Sequence, residues 1–126
     1  MKEAIGLMSN TKWRKLLSHL SQAGIARHCT WKLLEWQEPR DGFLPTEDCL
    51  TERGVGDCGA VLGGPFQYAE IEWLLIPAKA VVWPNALPQH RYEQQDIGRV
   101  KAAIDALGQY PYQVTEAGLM VSGYAP

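Results

Sequence analysis

Two glutamates, Glu70 and Glu72, are the clearest candidates for chemistry in this sequence. They belong to the segment Phe66–Ile76, in which apolar and polar residues alternate with a period of two, the pattern of a strand with one buried and one exposed face. The alternation predicts that both carboxylates point the same way, about 7 Å apart. Paired carboxylates can serve as general acid and base, but they are equally typical of an exposed sheet face. Both alternatives stay open at the level of the sequence.

The histidines and cysteines lack the spacing of a metal site or a nucleophile. Zinc ligands are closely grouped, whereas Cys29, Cys49 and Cys58 lie twenty and nine positions apart, and only His28 adjoins one of them. No family signature of nucleophilic catalysis surrounds any of the three histidines. The sequence therefore predicts no bound metal and no cofactor, and it identifies no catalytic residue.

Acidic residues are concentrated in one stretch of the chain. The formal net charge is −2, but seven acids and two bases between Glu35 and Asp57 leave −5 there, so the remainder carries +3. Nucleic-acid-binding domains usually carry a basic excess, so we expect no nucleic-acid partner. A local acidic excess can instead steer a basic protein towards the chain, although acids in loops are often only solvated.

Two helices are predicted from apolar residues at helical spacing. The first runs from Asn10 to Ala23 and stops at Gly24; the second runs from about Arg91 to Leu107. Their apolar positions are Trp13, Leu16, Leu17, Leu20 and Ala23 in the first helix, and Ile97, Val100, Ile104 and Leu107 in the second.

Strands are predicted between and after these helices. They are indicated by aromatic and β-branched residues, by the alternation of apolar and polar residues, and by turn residues at their ends. Residues 38–57, with three glycines, two prolines and most of the acids, are predicted to form a long irregular loop. The predicted strands are His28–Gln37, Phe66–Ile76 in a hairpin with 58–62 around Gly63-Gly64-Pro65, Ala80–Trp83, and a terminal hairpin of Tyr110–Thr115 and Leu119–Tyr124 with its turn at 116–118.

The order of these elements predicts an α+β fold. Strands that follow one another through short turns favour a single layer of mainly antiparallel sheet, flanked by two helices, in the order α-β-β-β-α-β-β. A chain of 126 residues with 46% apolar and 21% charged residues has the composition of one globular domain. We expect one domain over residues 1–126.

The sequence also predicts a cytoplasmic protein that does not cross a membrane. The first ten residues lack the long apolar run of a secretory signal. The most apolar stretch, Trp73–Trp83, is too short for a span and contains Pro77 and Lys79. An odd number of irregularly spaced cysteines suits a reducing compartment.

Two segments resemble a family of small bacterial proteins of unknown function. Ser9–Leu17 contains the T-K-W-R opening of that family, and Gly64–Trp73 matches its pattern G-P-F-x-Y-x-x-I-E-W. The resemblance implies no catalytic residue, because the family has no established activity. In size, acidic loop and lack of a catalytic motif, the chain is also similar in type to bacterial immunity proteins that neutralise toxins.

The leading hypothesis is a binding protein of the immunity or antitoxin type. It would mask a basic toxin domain sterically, with acids that speed the encounter and an aromatic anchor such as Trp36 or Phe43. Charge reversal at Glu47, Asp48 and Glu52 would then slow association. The alternatives are a small enzyme that uses a carboxylate or histidine in a pocket, and a ligand-sensing or scaffold domain. The predicted partner-binding residues are Glu35, Trp36, Glu38, Asp41, Phe43, Glu47, Asp48, Glu52, Asp57, Glu70 and Glu72.

Overall fold

The computed structural model describes residues 6–56, 65–81 and 92–125. Every strand pairing within these ranges is antiparallel. The α+β class and the succession of helix, strands, helix, strands are therefore confirmed, although the strands are shorter and more numerous than predicted. The elements are α1 (Asn10–Ala23), β1 (His28–Leu33), β2 (Arg40–Phe43), β3 (Gly54–Val55), β4 (Phe66–Gln67), β5 (Ile71–Pro77), β6 (Lys79–Val81), β7 (Tyr92–Gln94), α2 (Ile97–Leu107), β8 (Tyr112–Thr115) and β9 (Gly118–Ser122).

The first helix has the bounds predicted for it. The Ser9 hydroxyl accepts a hydrogen bond from the Lys12 N–H at 3.1 Å and caps the start of the helix. Gly24 ends it in the left-handed region, with φ of 62°. Of the predicted apolar stripe, only Ala23 is exposed. The buried members are Trp13, Leu16, Leu17 and Leu20.

The main sheet has five strands in the order β2-β1-β5-β9-β8. One of its faces packs against the two helices, which also contact each other. Tyr112 of β8 lies on this face, where its hydroxyl donates to Asp105 of α2 at 2.6 Å. The core side chains of the three central strands are Cys29, Trp31, Leu33, Ile71, Leu74, Ile76, Leu119 and Val121.

The predicted strand Phe66–Ile76 is interrupted. A 3-10 turn over Tyr68–Glu70 separates β4 from β5. In the pairing of β1 with β5, Lys32 lies opposite Trp73 but Leu33 lies opposite Ile71, so one extra residue bulges between them. The bulge reverses the alternation after Ile71, and Trp73 lies on the face opposite the core rather than within it.

The predicted irregular loop over 38–57 contains regular structure. Strand β2 pairs with β1, β3 pairs with β4, and a 3-10 turn spans Glu47–Cys49. Buried apolar residues among the acids, including Leu50 and Val55, tie the segment to the core. The prediction of an irregular loop was therefore wrong for 40–43, 47–49 and 54–55, and the other described residues of the segment connect these elements.

The remaining boundaries are shifted by local chemistry. Strand β1 ends at Leu33 instead of residue 37, because the Trp36 N–H turns back to the Leu33 carbonyl at 3.1 Å. Helix α2 begins at Ile97, where Asp96 accepts from the Arg99 N–H at 3.1 Å. The terminal hairpin is confirmed with slightly narrower strands. The predictions that concern Asp57, the hairpin strand 58–62 with Cys58, the turn at 63–64, residues 82–83 and Arg91 lie outside the described residues.

Candidate protein-binding face

The face of the main sheet opposite the helices forms the candidate site. Along β1, β5 and β9, side chains of this face alternate with those of the core, and most are half-buried. The strand registers place one residue from each of the five strands in a continuous row across the sheet. From edge to edge, the row is Asp41, Thr30, Leu75, Met120 and Gln113. Because neither helix of the described ranges packs on this surface, we call it, with its neighbouring row Lys32, Trp73 and Ser122, the helix-free face.

The centre of the helix-free face is apolar. Trp73 lies opposite Ser122, and Leu75 lies opposite Met120 on the same strand pair. All three apolar side chains are half-buried, whereas Leu74 and Ile76, which alternate with them, are fully buried. A large aromatic ring with aliphatic neighbours on a sheet surface supplies contact area without a polar group that must be satisfied.

Lys32 and Glu72 form an ion pair on this side of the sheet. The Lys32 Nζ lies 2.9 Å from Glu72 Oε2 and also donates to the Leu33 carbonyl at 2.8 Å. The lysine side chain is 13% exposed, while that of the glutamate is 40% exposed. The pair therefore turns its carboxylate towards solvent and its ammonium towards the protein.

His28 and Glu93 repeat this arrangement at the end of the sheet. The His28 Nε2 lies 2.9 Å from Glu93 Oε2, and the side chains are 6% and 55% exposed, respectively. The Phe43 ring lies 5.5 Å from the imidazole, across the β1–β2 pairing. Here too the carboxylate is the group that solvent or a partner meets.

Gln95 fixes the position of this second pair. Its Oε1 accepts from the backbone N–H groups of Arg27 and His28 at 3.0 and 2.9 Å. Its Nε2 donates to the carbonyls of His28 and Pro77 at 3.1 and 2.8 Å. The side-chain amide thus uses both ends to join the start of β1, the end of β5 and the residue after β7, and it is buried.

Three carboxylates consequently border the apolar centre. Asp41, exposed on the edge strand β2, accepts from the Thr30 hydroxyl at 2.8 Å. Glu72 and Glu93 are the outer members of the two pairs described above. The surface thus combines an apolar centre with a polar, acidic border.

Of the residues predicted to bind a partner, Asp41, Phe43 and Glu72 belong to this side of the sheet. Glu47 does not, because its carboxylate accepts from Ser18 Oγ at 3.1 Å and Gln22 Nε2 at 3.0 Å on α1. These hydrogen bonds, first that of Gln22, lower the pKa of Glu47. Asp48 lies in the same 3-10 turn and accepts from the Thr46 hydroxyl.

Glu70 and Glu72 serve different structural roles. Glu70 lies in the 3-10 turn, where its Oε2 accepts from the Gln67 N–H at 2.6 Å and closes a capping box. The prediction that both glutamates project from one strand face was therefore wrong. The physical reason is that the turn and the bulge interrupt the regular alternation on which the prediction depended.

Trp36 lies on the helix side of the β1–β2 connection. The Arg40 guanidinium stands 4.3 Å from the centre of its ring, and Arg40 is paired in register with the core residue Trp31. The ring also packs partly against the core. The exposed acids Glu35 and Glu38 lie in the same connection between β1 and β2. Glu52 is exposed before β3, and Asp57 lies outside the described residues.

The neighbouring His28 and Cys29 project to opposite faces of β1. The Cys29 thiol is in the core, where burial, and secondarily the charge of Asp41, raise its pKa well above the ordinary value. It is not positioned as a thiolate beside the imidazole. Within the described ranges, no three His, Cys, Asp or Glu side chains are grouped as metal ligands.

Sequence reasoning did not identify Trp73, Leu75, Met120 or Glu93 as part of the site. The run Trp73–Ile76 is apolar throughout, so polarity cannot reveal which residues face the core. The mixed pattern of β9, in which Met120 and Ser122 alternate with buried neighbours, is a local signal that this strand has a second, partly exposed face.

Comparison with known proteins gives no further identification. No protein-family model matches the sequence, and no match was found among curated proteins or solved structures. The family resemblance of the two segments therefore stays a prediction. Neither helix of the described part combines the length and the apolar content needed to cross a membrane.

Proposed function

We propose that this chain is a protein-binding domain of the immunity type, which neutralises a basic partner by covering its functional surface with the helix-free face. The observation that carries the proposal is that one surface combines an apolar centre with a border of exposed carboxylates. The apolar centre consists of Trp73, Leu75 and Met120. Binding energy at interfaces is concentrated in buried aromatic anchors near the centre, while charges at the border set specificity and encounter rate.

The two pairs favour a basic partner. In each pair the nitrogen-bearing side chain, Lys32 or His28, is the buried member and the carboxylate is the exposed one. Together with Asp41, the outer surface carries three acids. The cations beside them are the exposed guanidinium of Arg27, 5.5 Å from the centre of the Phe43 ring, and the ammonium of Lys32, which Glu72 and the Leu33 carbonyl hold against the strand. A partner with lysines or arginines around an apolar patch would find complementary charge at this border.

The proposed interface differs from the acidic segment 35–57 that the sequence indicated. The proposed surface includes Asp41 and Glu72. It does not include Glu47, whose carboxylate is hydrogen-bonded to α1. Trp73 replaces Trp36 as the proposed anchor, because the Trp36 ring is covered by Arg40 on the helix side. Inhibition by masking needs only this surface and no catalytic group, which suits a small domain.

Trp73 and Trp36, which are both half-buried, provide a matched test. The tagged chain, Trp73→Ala and Trp36→Ala are each used to capture proteins from the source organism. A partner that supports the proposal is basic, is retained by wild type and Trp36→Ala, and is lost with Trp73→Ala. Expression of that partner alone should arrest growth of a host, and coexpression of the wild-type chain should restore it.

Two results would contradict the proposal. A partner retained equally by both variants would bind another surface, and a partner whose activity is unaffected by saturating wild-type chain would not be neutralised by it. Circular dichroism spectra of the two variants establish that both are folded before capture is compared.

A further inference from the structure

The two edge strands of the main sheet differ in how they are protected. Edge strands expose unpaired backbone groups, and proteins commonly block them with charged residues, prolines or bulges. Strand β2 carries the charged residues Arg40 and Asp41, whereas β8, with the sequence Tyr-Gln-Val-Thr, carries no charge. Val114 in β8 is 47% exposed. The β8 edge therefore lacks the charges that discourage pairing with another strand.

The hydrogen bonds of the terminal hairpin fix which backbone groups point outward. The Ser122 N–H donates to the Pro111 carbonyl at 2.9 Å. Because hydrogen-bonded and non-hydrogen-bonded pairs alternate in an antiparallel ladder, Gln113 and Thr115 use their backbone groups towards β9. The N–H and C=O of Val114 consequently point away from the sheet. The neighbouring Tyr112 N–H, which also points outward, already donates to the Tyr110 carbonyl at 2.9 Å.

We infer that a second copy of this chain pairs with β8, antiparallel and centred on Val114. A two-fold axis through that point lets the two Val114 residues exchange both of their outward backbone hydrogen bonds, as in an isologous interface. The same register places Gln113 opposite Thr115 of the second copy. No like charges face each other along this short strand, so the edge is complementary to itself.

This pairing would extend the helix-free face into the second copy. A two-fold axis perpendicular to a sheet keeps the helices of both copies on one side and the opposite faces on the other. The row that begins at Asp41 and ends at Gln113 would continue across the junction. The inference stands independently of the proposed function, because it rests on the edge and can be measured without any other protein.

Sedimentation equilibrium of the wild-type chain from about 10 µM to about 1 mM tests the inference, since small interfaces below about 1,200 Å² give weak association. The apparent mass should rise from 14.1 kDa towards twice that value. Val114→Glu, which sets two carboxylates opposite each other, should stay at the lower mass. Val114→Thr, which keeps the branched side chain and the N–H, should associate as the wild type does.

Leu34→Glu is the matched control, because Leu34 is similarly exposed, at 44%, but lies beyond β1 away from the edge. It should associate normally. Amide exchange of Val114 in the unmodified protein should also slow as concentration rises, which makes the test independent of any variant's folding. A wild-type mass that stays at 14.1 kDa throughout, or association of Val114→Glu equal to wild type, would overturn the inference.

Discussion

The ammonium of Lys32 lies 2.9 Å from the carboxylate of Glu72, and it is the lysine that is shielded from solvent while the glutamate is exposed. The order is unusual for a long cationic side chain, which normally extends its charged end into water. It leaves a carboxylate on the outside of a sheet face whose centre is apolar.

Replacing Glu72 should lower the stability of the fold more than replacing Lys32 does. Glu72→Gln leaves the shielded ammonium without its counter-charge and should lower the free energy of unfolding by about 1–2 kcal/mol. Lys32→Met removes the charge that needs compensation and should change it by less than about 0.5 kcal/mol. Urea unfolding of both variants measures the difference. A greater loss for Lys32→Met would contradict this account of the pair.

Gln95 should contribute more to stability than its exposed neighbour. Gln95→Leu has a similar volume but leaves the backbone groups of Arg27, His28 and Pro77 without their partners, so we expect a loss of about 2–4 kcal/mol. Gln94→Leu is the control, because Gln94 is exposed on β7. Urea unfolding measures both, and amide exchange at residues 27 and 28 should accelerate in Gln95→Leu alone. Unchanged exchange at these two amides would show that the amide bridge is not needed to hold them.

The hydrogen bond from the Tyr112 hydroxyl should affect the pKa at which Asp105 titrates. The pKa of Asp105 lies below its ordinary value, first because the Tyr112 hydroxyl donates to it and second because Lys101 does. Tyr112→Phe and Lys101→Met should therefore each raise this pKa. Carboxyl chemical shifts followed by NMR from neutral to acidic pH measure both changes. An unchanged Asp105 pKa in Tyr112→Phe would contradict the role assigned to this hydrogen bond.

The sign of the accompanying stability change follows from that lowered pKa. A carboxyl whose pKa is lower in the folded state stabilises the fold fully above its unfolded value, about 3.9 for aspartate. The contribution is lost as the pH falls through the lower folded value. Part of the stability difference between wild type and Tyr112→Phe depends on the charge of Asp105. That part should disappear under strongly acidic conditions, where Asp105 is protonated in both proteins.

Local signals were sufficient to predict α1 and the α+β class. Ser9 and Gly24 mark the ends of the helix, and its four buried residues recur at the helical period, so the necessary information lies within one segment. The terminal hairpin is equally local, with a glycine at φ of 143° where the turn enters β9.

The face of β5 could not be predicted in the same way. Its phase depends on a bulge created by pairing with β1, some forty positions earlier in the chain, and the apolar run Trp73–Ile76 fits either phase. The strand Arg40–Phe43 was missed for a related reason, because its pairing with β1 outweighs the weak strand preference of Asp41 and Gly42. Nothing in the local sequence around Gln95 indicates that it joins three strands.

The most direct test of the proposed interface compares two similar aspartates. Asp41 and Asp48 are both exposed, and each accepts from a threonine hydroxyl, but only Asp41 borders the helix-free face. The measurement is the association rate constant of Asp41→Lys and Asp48→Lys with the partner identified by Trp73-dependent capture, at about 50 mM and about 500 mM salt.

Electrostatic steering predicts that Asp41→Lys lowers the rate by on the order of tenfold at low salt and much less at high salt, while Asp48→Lys stays within about twofold of wild type. Equal slowing by both variants would indicate that the acidic segment as a whole contributes to the interface. Slowing by Asp48→Lys alone would contradict the assignment of the helix-free face.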